Sequence, residues 1–355
     1  VSAPRVVSDA DPHAVLAALE GPGPVAVLDH RRPADALADA LPRAPSGTWL
    51  VAATSGTTGA PRAVCRTRGS WQASVCPFAT LTGTAPGTRV LVPGPLASTL
   101  FLHAAWHARQ VDARLLLQPL ATDEPWDVAH VVPAQLQTLL DGALDLVGRR
   151  VVVAGAALPA HLAQAATDRG LRVLAYYGAA ELSFVAAGVG SGPMAAFPGV
   201  QVAERDGVVW VRSPYLCTGY LPGSAPGPLL RDAGGWMSVG DRGHVRGGSV
   251  EVRGRGEQSV QTGGATVHVA DVEAALRDAP GVRDVVVVGT PHGVFGAVVT
   301  AVVEVGDPTP STAALRAHAA ARLSPPAQPR RWVLVPALPR TPAGKVDRLA
   351  AARLS

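Results

Sequence analysis

The stretch TWLVAATSGTTGAPRAV, residues 48–64, joins an apolar run to a loop of glycines and hydroxyls. TWLVAAT has the length and composition of a buried strand. Thr54, Ser55, Gly56, Thr57, Thr58 and Gly59 then offer hydroxyl and backbone N–H donors with little steric bulk. Such a loop suits phosphate oxygens, which take many donors at close range. Arg62 adds a positive charge. The spacing is not that of GxxxxGK[ST], so this is not a Walker loop. On composition alone, a polar turn between strand and helix fits equally well.

Outward from this loop, PVAVLD, RVLVPGP, ARLLLQP, AHVVP and RRVVVAG read as further short buried strands. STLFLHAAWHARQ, PAQLQTLLDGAL and PAHLAQAATDRG lie between several of them with helical periodicity. Buried apolar strands alternating with helices predict a largely parallel α/β sheet. Near residue 200 the texture changes to hairpins, with Asp206-Gly207 and Gly247-Gly248 at the tips. After about residue 256 a smaller unit follows, with helices at DVEAALRDA and STAALRAHAAARL. Its strands are DVVVVGT, AVVTAVVEV and RRWVLVPAL. The expected domains are therefore 1–255 and 256–355.

The 355 residues carry a net charge of +4 without a basic run, which argues against a nucleic-acid arm. With 48% hydrophobic and 16% charged residues the chain can bury a sizeable core. No stretch approaches about 18 uninterrupted apolar residues, so no membrane span is expected. Cys65, Cys76 and Cys217 form no metal or redox spacing, and an odd count without a signal peptide suggests a reducing, cytoplasmic setting.

TSGTTGAPRAV resembles the phosphate loop of the AMP-forming adenylating enzymes, which include acyl-CoA synthetases, peptide-synthetase adenylation domains and luciferases. The family usually has Lys-Gly where this chain has Arg62-Ala63. Five further segments resemble family motifs in the family's order. They are AGAAL at 154–158, YYGAAEL at 176–182, SVGDRGHV at 238–245, VRGRGEQSVQTGG at 252–264 and LPRTPAGKVDR at 338–348. The resemblance implies a large N-terminal α/β domain of mixed sheets and helices, with a small mobile α+β C-terminal domain. Only 53 residues precede the loop, fewer than in most members, which implies a shortened N-terminal subdomain.

The implied chemistry is attack of a carboxylate on the α-phosphate of ATP, release of pyrophosphate, and transfer of the acyl group to CoA. An anion must approach a polyanion, so cations and positioned donors are needed. By this resemblance residues 54–59 and Arg62 hold the β- and γ-phosphates, although Arg is not an equivalent donor to Lys. Gly155, Ala156, Ala157, Tyr177 and Gly178 face the adenine. Asp241 and Arg255 hold the ribose, and Asp241 can accept from its hydroxyls. Glu181 takes Mg²⁺, which prefers carboxylate and phosphate oxygens. The alternative for Glu181 is a carboxylate at a helix N-terminus. Lys345, one of very few lysines, bridges carboxylate and α-phosphate. Its alternative is an ordinary exposed lysine. Glu257 falls at the hinge and Gly264 at the thiol channel.

Several positions depart from the family. Ala180 replaces the usual Thr, removing a hydroxyl from the α-phosphate contact. Val260-Gln261 replaces Ile-Lys, and Ala265 and Thr266 stand where basic residues often meet CoA phosphates. The acyl pocket is expected behind residues 94–108, with Phe101, His103 and Trp106 as candidates and a packed helix histidine as the alternative for His103. That stretch has no acid to bind an amino group and lacks the His-His pair of o-succinylbenzoate-CoA ligases, the short bacterial members. LSFVAAGVG favours an aliphatic or aryl acid. Three readings stand: a ligase using CoA; an adenylating enzyme loading a carrier-protein phosphopantetheine thiol or an amine; and a degenerate nucleotide binder. Homodimerisation stays open in all three.

Overall fold

The computed structural model describes residues 5–30, 39–54, 62–225, 227–255, 259–262 and 265–355. The chain divides into two compact units. The larger comprises Val1–Val239, Val245–Glu251 and Pro342–Gly344, and the smaller Gly240–His244, Val252–Thr341 and Lys345–Ser355.

Two sheets build the larger unit. The first begins with β1 (Arg5–Ser8), β2 (Val25–Leu28), β3 (Leu50–Thr54) and β4 (Arg62–Arg66). β1, β2 and β3 are mutually parallel, and β4 returns antiparallel to β3 with Thr54 level with Arg62. The second contains β5 (Arg89–Leu91), β6 (Arg114–Leu116), β7 (Val128–Val131), β8 (Arg150–Val153) and β9 (Arg172–Ala179). These five are parallel in the order β6-β5-β7-β8-β9. β10 (Ser183–Val189) and β11 (Met194–Ala196) extend that sheet antiparallel. β12 (Gln201–Arg205) and β13 (Val208–Arg212) form the hairpin around Asp206-Gly207, where both residues have positive φ. β14 (Gly219–Tyr220) closes the first sheet against β4. The alternating runs, read as a largely parallel α/β sheet, divide between two sheets, in keeping with the mixed sheets that the resemblance implies. Short apolar strands announce burial on both faces but not which sheet they join.

The helices pack by their apolar faces. α1 (Pro12–Glu20) starts at Asp11, whose carboxylate accepts from Ala14 N–H at 3.0 Å, with proline in the first turn. α2 (Arg68–Gln72) and α3 (Val75–Thr82) follow β4. α4 (Thr99–Gln110) is buried without interruption from Leu100 to Ala108, a run of apolar side chains broken only by His103 and His107. Trp49, Trp71 and Trp106 meet here with ring centroids 5.4–5.8 Å apart. Trp49 donates its indole N–H to Leu19 O, so its polar edge is satisfied in the core.

The smaller unit pairs strands Val282–His292 and Gly296–Val305 antiparallel, with Arg331–Val335 alongside in parallel. Glu273, on helix Val269–Arg277, is buried and accepts from Val287 N–H at 2.8 Å. It also accepts from Arg348 Nη2 at 2.6 Å, tethering the C-terminal helix Arg348–Ala352. Among the described residues no helix is long and apolar enough to cross a membrane.

Candidate active site

The carboxyl ends of β8 and β9 bring two sequence motifs together. Ala154 is buried, while Gly155, Ala156 and Ala157 are exposed just beyond β8. Val153 is level with Ala175 in the parallel β8–β9 pair, so Tyr176 and Tyr177 continue beside this segment. Crevices at the carboxyl ends of parallel strands are where α/β sheets bind ligands. Gly155 has φ +88°, a conformation that favours glycine. Gly178 is required by close approach, because a Cβ there would stand 2.0 Å from Ser183 O.

Glu181 is not at a helix end. It occupies the tight turn between β9 and β10, closed by Leu182 N–H donating to Ala179 O at 3.1 Å. The residue is 3% exposed. Its Oε1 accepts from the Tyr220 hydroxyl at 2.8 Å, and its backbone carbonyl accepts from Cys217 N–H at 2.9 Å. Arg66 holds the preceding residue, with Nε and Nη2 donating to Ala180 O at 3.0 and 2.5 Å. The same guanidinium donates through Nη1 to Tyr215 O at 2.8 Å. One buried arginine thus ties the end of β4 to the β9–β10 turn and to the segment entering β14.

The electrostatics agree with this assembly. Burial lowers the Arg66 pKa, while Cys217 and then Glu181 act to raise it. Burial raises the Tyr220 pKa, Glu181 raises it further, and Arg62 lowers it. Arg62, at the head of β4, is 8% exposed and shares this neighbourhood. Arg66 and Tyr220 escape the sequence reading. Each looks like an ordinary strand residue, and their partners are 114 and 39 positions away.

Other predicted positions are placed separately. Ser55, Gly56, Thr57, Thr58, Gly59, Glu257 and Gly264 lie outside the described residues. Thr54 ends β3, and Arg255 ends the strand Ser249–Arg255. Asp241 opens the strand Asp241–Arg246 and is 7% exposed. In the smaller unit Lys345 is exposed on a closed turn. Thr341 N–H donates to Lys345 O at 2.7 Å and Asp347 N–H to Pro339 O at 2.8 Å. Gly344, just before the lysine, has φ +78°.

Phe101, His103 and Trp106, expected around the acyl pocket, all lie in the interior. Phe101 lies on Gly94, where a Cβ would approach its ring to 2.0 Å, and Trp106 belongs to the tryptophan cluster. His103 packs against Trp71, Phe78 and Phe184. Ser74 Oγ donates to Trp71 O, so it accepts from His103 Nε2–H at 3.1 Å. His107 donates to Val75 O at 3.1 Å, and the buried His130 Nδ1 has no hydrogen-bond partner among the described residues.

Burial lowers the His107 pKa to about 4 and that of His130 to about 3, and takes His103 well below its ordinary value. All three are neutral in the fold. Below pH about 6.5 the unfolded chain binds protons that the folded chain refuses. Stability is therefore full above about pH 6.5 and falls as pH drops toward the folded pKa. His107 and His130 each contribute about 1.4 kcal/mol of loss at pH 5.5, and His103 adds in the same direction. Urea unfolding at pH 7.5 and 5.5 checks this. His107→Gln is expected to lose about 1 kcal/mol less than the parent over that interval; an equal loss would remove His107 from the account.

The family model described as AMP-binding enzyme matches residues 5–221, and that described as AMP-binding enzyme C-terminal domain matches residues 271–345. A probable 2-succinylbenzoate–CoA ligase of Mycobacterium tuberculosis is 32% identical over 333 residues, covering 86% of this chain and 84% of that protein. An uncharacterized acyl–CoA ligase of Bacillus subtilis is 29% identical over 361 residues, covering 92% and 73%. Among solved structures, an arginine-to-lysine variant of Escherichia coli MenE with bound OSB-AMS superposes with a TM-score of 0.83 at 23% identity, covering 99% of this chain and 87% of that one. The amide bond synthetase McbA of Marinactinospora thermotolerans gives 0.75 at 25% identity, covering 99% and 80%. Both the matched segments and the strand-end architecture lead to one conclusion: the chain belongs to the AMP-binding enzyme family.

Proposed function

We propose that this chain is an AMP-forming acid–CoA ligase. The observation that carries the reading is Glu181, a buried carboxylate held at a hairpin turn by Tyr220, Cys217 and the Arg66 contact to its neighbour. In the first step a substrate carboxylate oxygen attacks the α-phosphorus of ATP. The bond to the β-phosphate breaks and pyrophosphate leaves. In the second, the CoA sulfur attacks the acyl carbon, the bond to AMP breaks, and the thiol proton passes to solvent.

Within this reading Arg62 and residues 54–59 neutralise and orient the β- and γ-phosphates. Residues 155–157 and Tyr177 flank the adenine. Asp241 and Arg255 receive the ribose, and Lys345 offsets charge between the carboxylate and the α-phosphate. Glu181 would hold Mg²⁺. One buried carboxylate with one oxygen fixed by a tyrosine fits an ion that keeps waters and substrate phosphates as its other ligands. When bound, the ion would supply charge neutralisation on the phosphates. Glu257 is the proposed hinge and Gly264 belongs to the thiol channel; the two functional domains are proposed as 1–255 and 256–355. On the same reading the enzyme acts in the cytoplasm and can form a homodimer.

A second reading keeps the adenylation and changes the acceptor to a carrier-protein thiol or an amine. Gln261 is exposed on its strand and Ala265 follows, where basic residues for CoA phosphates would be expected. Pyrophosphate release from MgATP with aliphatic, aryl and dicarboxylic acids, with and without CoA, separates the readings. Stimulation by CoA supports the ligase, and release indifferent to CoA supports the second acceptor. ATP binding without release under any condition would overturn both in favour of a degenerate binder.

Ala180 suggests a gain-of-function variant. Ala180→Thr restores a hydroxyl beside Glu181, and a hydrogen bond to a charged oxygen contributes about 1.5–3 kcal/mol. Adenylate formation is expected to rise roughly 10-fold or more in single-turnover assays. An unchanged rate would mean that the hydroxyl is not missed.

A further inference from the structure

Asp9 follows β1, and Asp29 and His30 follow β2. The two strands are parallel with Ser8 level with Leu28, and Asp9 N–H donates to Leu28 O at 2.9 Å. Their carboxyl ends therefore deliver three potential ligands to one edge of the sheet. One ligand atom from each of Asp9, Asp29 and His30 lies within 4.8 Å of the other two.

The Asp9 side chain is 1% exposed. Its Oδ1 accepts from the His30 backbone N–H at 2.9 Å and pairs with His30 Nδ1 at 2.8 Å. Its Oδ2 is buried with no hydrogen-bond partner among the described residues. A carboxylate oxygen withdrawn from water without a donor is costly, and an ion is one of the few things that compensates it. Nothing in the adenylation chemistry uses these residues.

We propose that Asp9, Asp29 and His30 bind a divalent transition-metal ion, Zn²⁺ or Mn²⁺, independently of nucleotide. Two carboxylates with an imidazole make a mixed oxygen and nitrogen set, which suits these ions better than Mg²⁺ or Ca²⁺. Ligand atoms about 2.0–2.2 Å from Zn²⁺ stand roughly 3.3–3.6 Å apart in tetrahedral geometry, so small side-chain rotations close the site. The His30 side chain is 47% exposed, which leaves an entry path and room for water ligands. Val27 is level with Ala52 in the β2–β3 pair. β3 runs on to Thr54, where the hydroxyl-rich loop begins, so the ion would lie at the same end of the sheet.

The test is calorimetric titration of the metal-free full chain with ZnCl₂ and, separately, MnCl₂, without ATP. One equivalent of at least one ion is expected. Asp9→Asn and His30→Ala are each expected to weaken binding about 10-fold or more, and Glu181→Gln to leave it unchanged. Far-ultraviolet circular dichroism checks folding; if Asp9→Asn fails to fold, the exposed His30→Ala carries the comparison. Absence of binding by both ions, binding indifferent to His30→Ala, or binding lost with Glu181→Gln would each overturn the proposal.

Discussion

Lys345→Ala is expected to lower pyrophosphate release about 10²–10³-fold while leaving ATP affinity within a few-fold. Lys345 is the only lysine in the chain. It stands exposed on a turn closed by the Thr341–Lys345 and Asp347–Pro339 backbone bonds, after a glycine with φ +78°. A compact ammonium on a flexible stem can follow charge as it moves from carboxylate to phosphate. Its value is concentrated in the transition state, so kcat should fall more than KM rises. The control supplies chemically prepared acyl-adenylate with CoA. Thioester formation from that intermediate should survive the substitution within a few-fold, because the lysine is proposed to serve the first step. Loss of both steps together would assign Lys345 to folding or to general binding. Full activity in the first step would remove it from the chemistry. Lys345→Arg should recover only part of the rate, since a planar guanidinium does not replace a point charge.

How much of this was legible in the sequence varies with the range of the interaction. β5, β6 and β8 fall inside short apolar runs recognisable without partners, and β7 overlaps one, because burial on both faces leaves a local signature. The β12–β13 hairpin is equally local, marked by Asp206-Gly207. β9 is harder to see. Arg172–Ala179 carries glycine and two tyrosines, and it reads as a motif loop rather than as a strand. The division into two sheets depends on pairings such as Gly219 with Cys65, which no local pattern encodes. The site follows the same rule. Glu181 stands in a short ordered motif, whereas the groups that hold it come from distant segments: Arg66 on β4, Tyr220 on β14 and the Cys217 backbone. Neither an arginine in a strand nor a tyrosine after a glycine announces its partner. The packed surroundings of Phe101 and Trp106 are hidden for a related reason: aromatic residues near a binding segment look the same whether they line a pocket or fill a core.

Arg66→Met is expected to cost about 2–4 kcal/mol of stability and to lower pyrophosphate release by 10-fold or more in protein that remains folded. Arg66 is 1% exposed and satisfies Ala180 O, Tyr215 O and Ser70 Oγ together. A hydrogen bond from a charged donor contributes about 1.5–3 kcal/mol, partly offset here by relief of the buried charge. Methionine fills much of the volume but donates nothing, so two buried carbonyls lose their charged donor. The functional loss has a separate origin. Ala180 is the residue before Glu181, so releasing its carbonyl frees the turn that aims the carboxylate. A displacement near 1 Å at a catalytic group can cost about 10²-fold. Denaturant unfolding gives the first quantity, and steady-state kinetics well below the unfolding transition gives the second. A purely structural Arg66 predicts lowered stability with unchanged kcat and unchanged Mg²⁺ dependence. A positioning Arg66 predicts a fall in kcat and a higher Mg²⁺ requirement, since Glu181 is the proposed ligand. Arg66→Lys discriminates further: it keeps the charge but cannot span Ala180 O and Tyr215 O with one planar fork. It should therefore resemble methionine in kcat more than it resembles arginine.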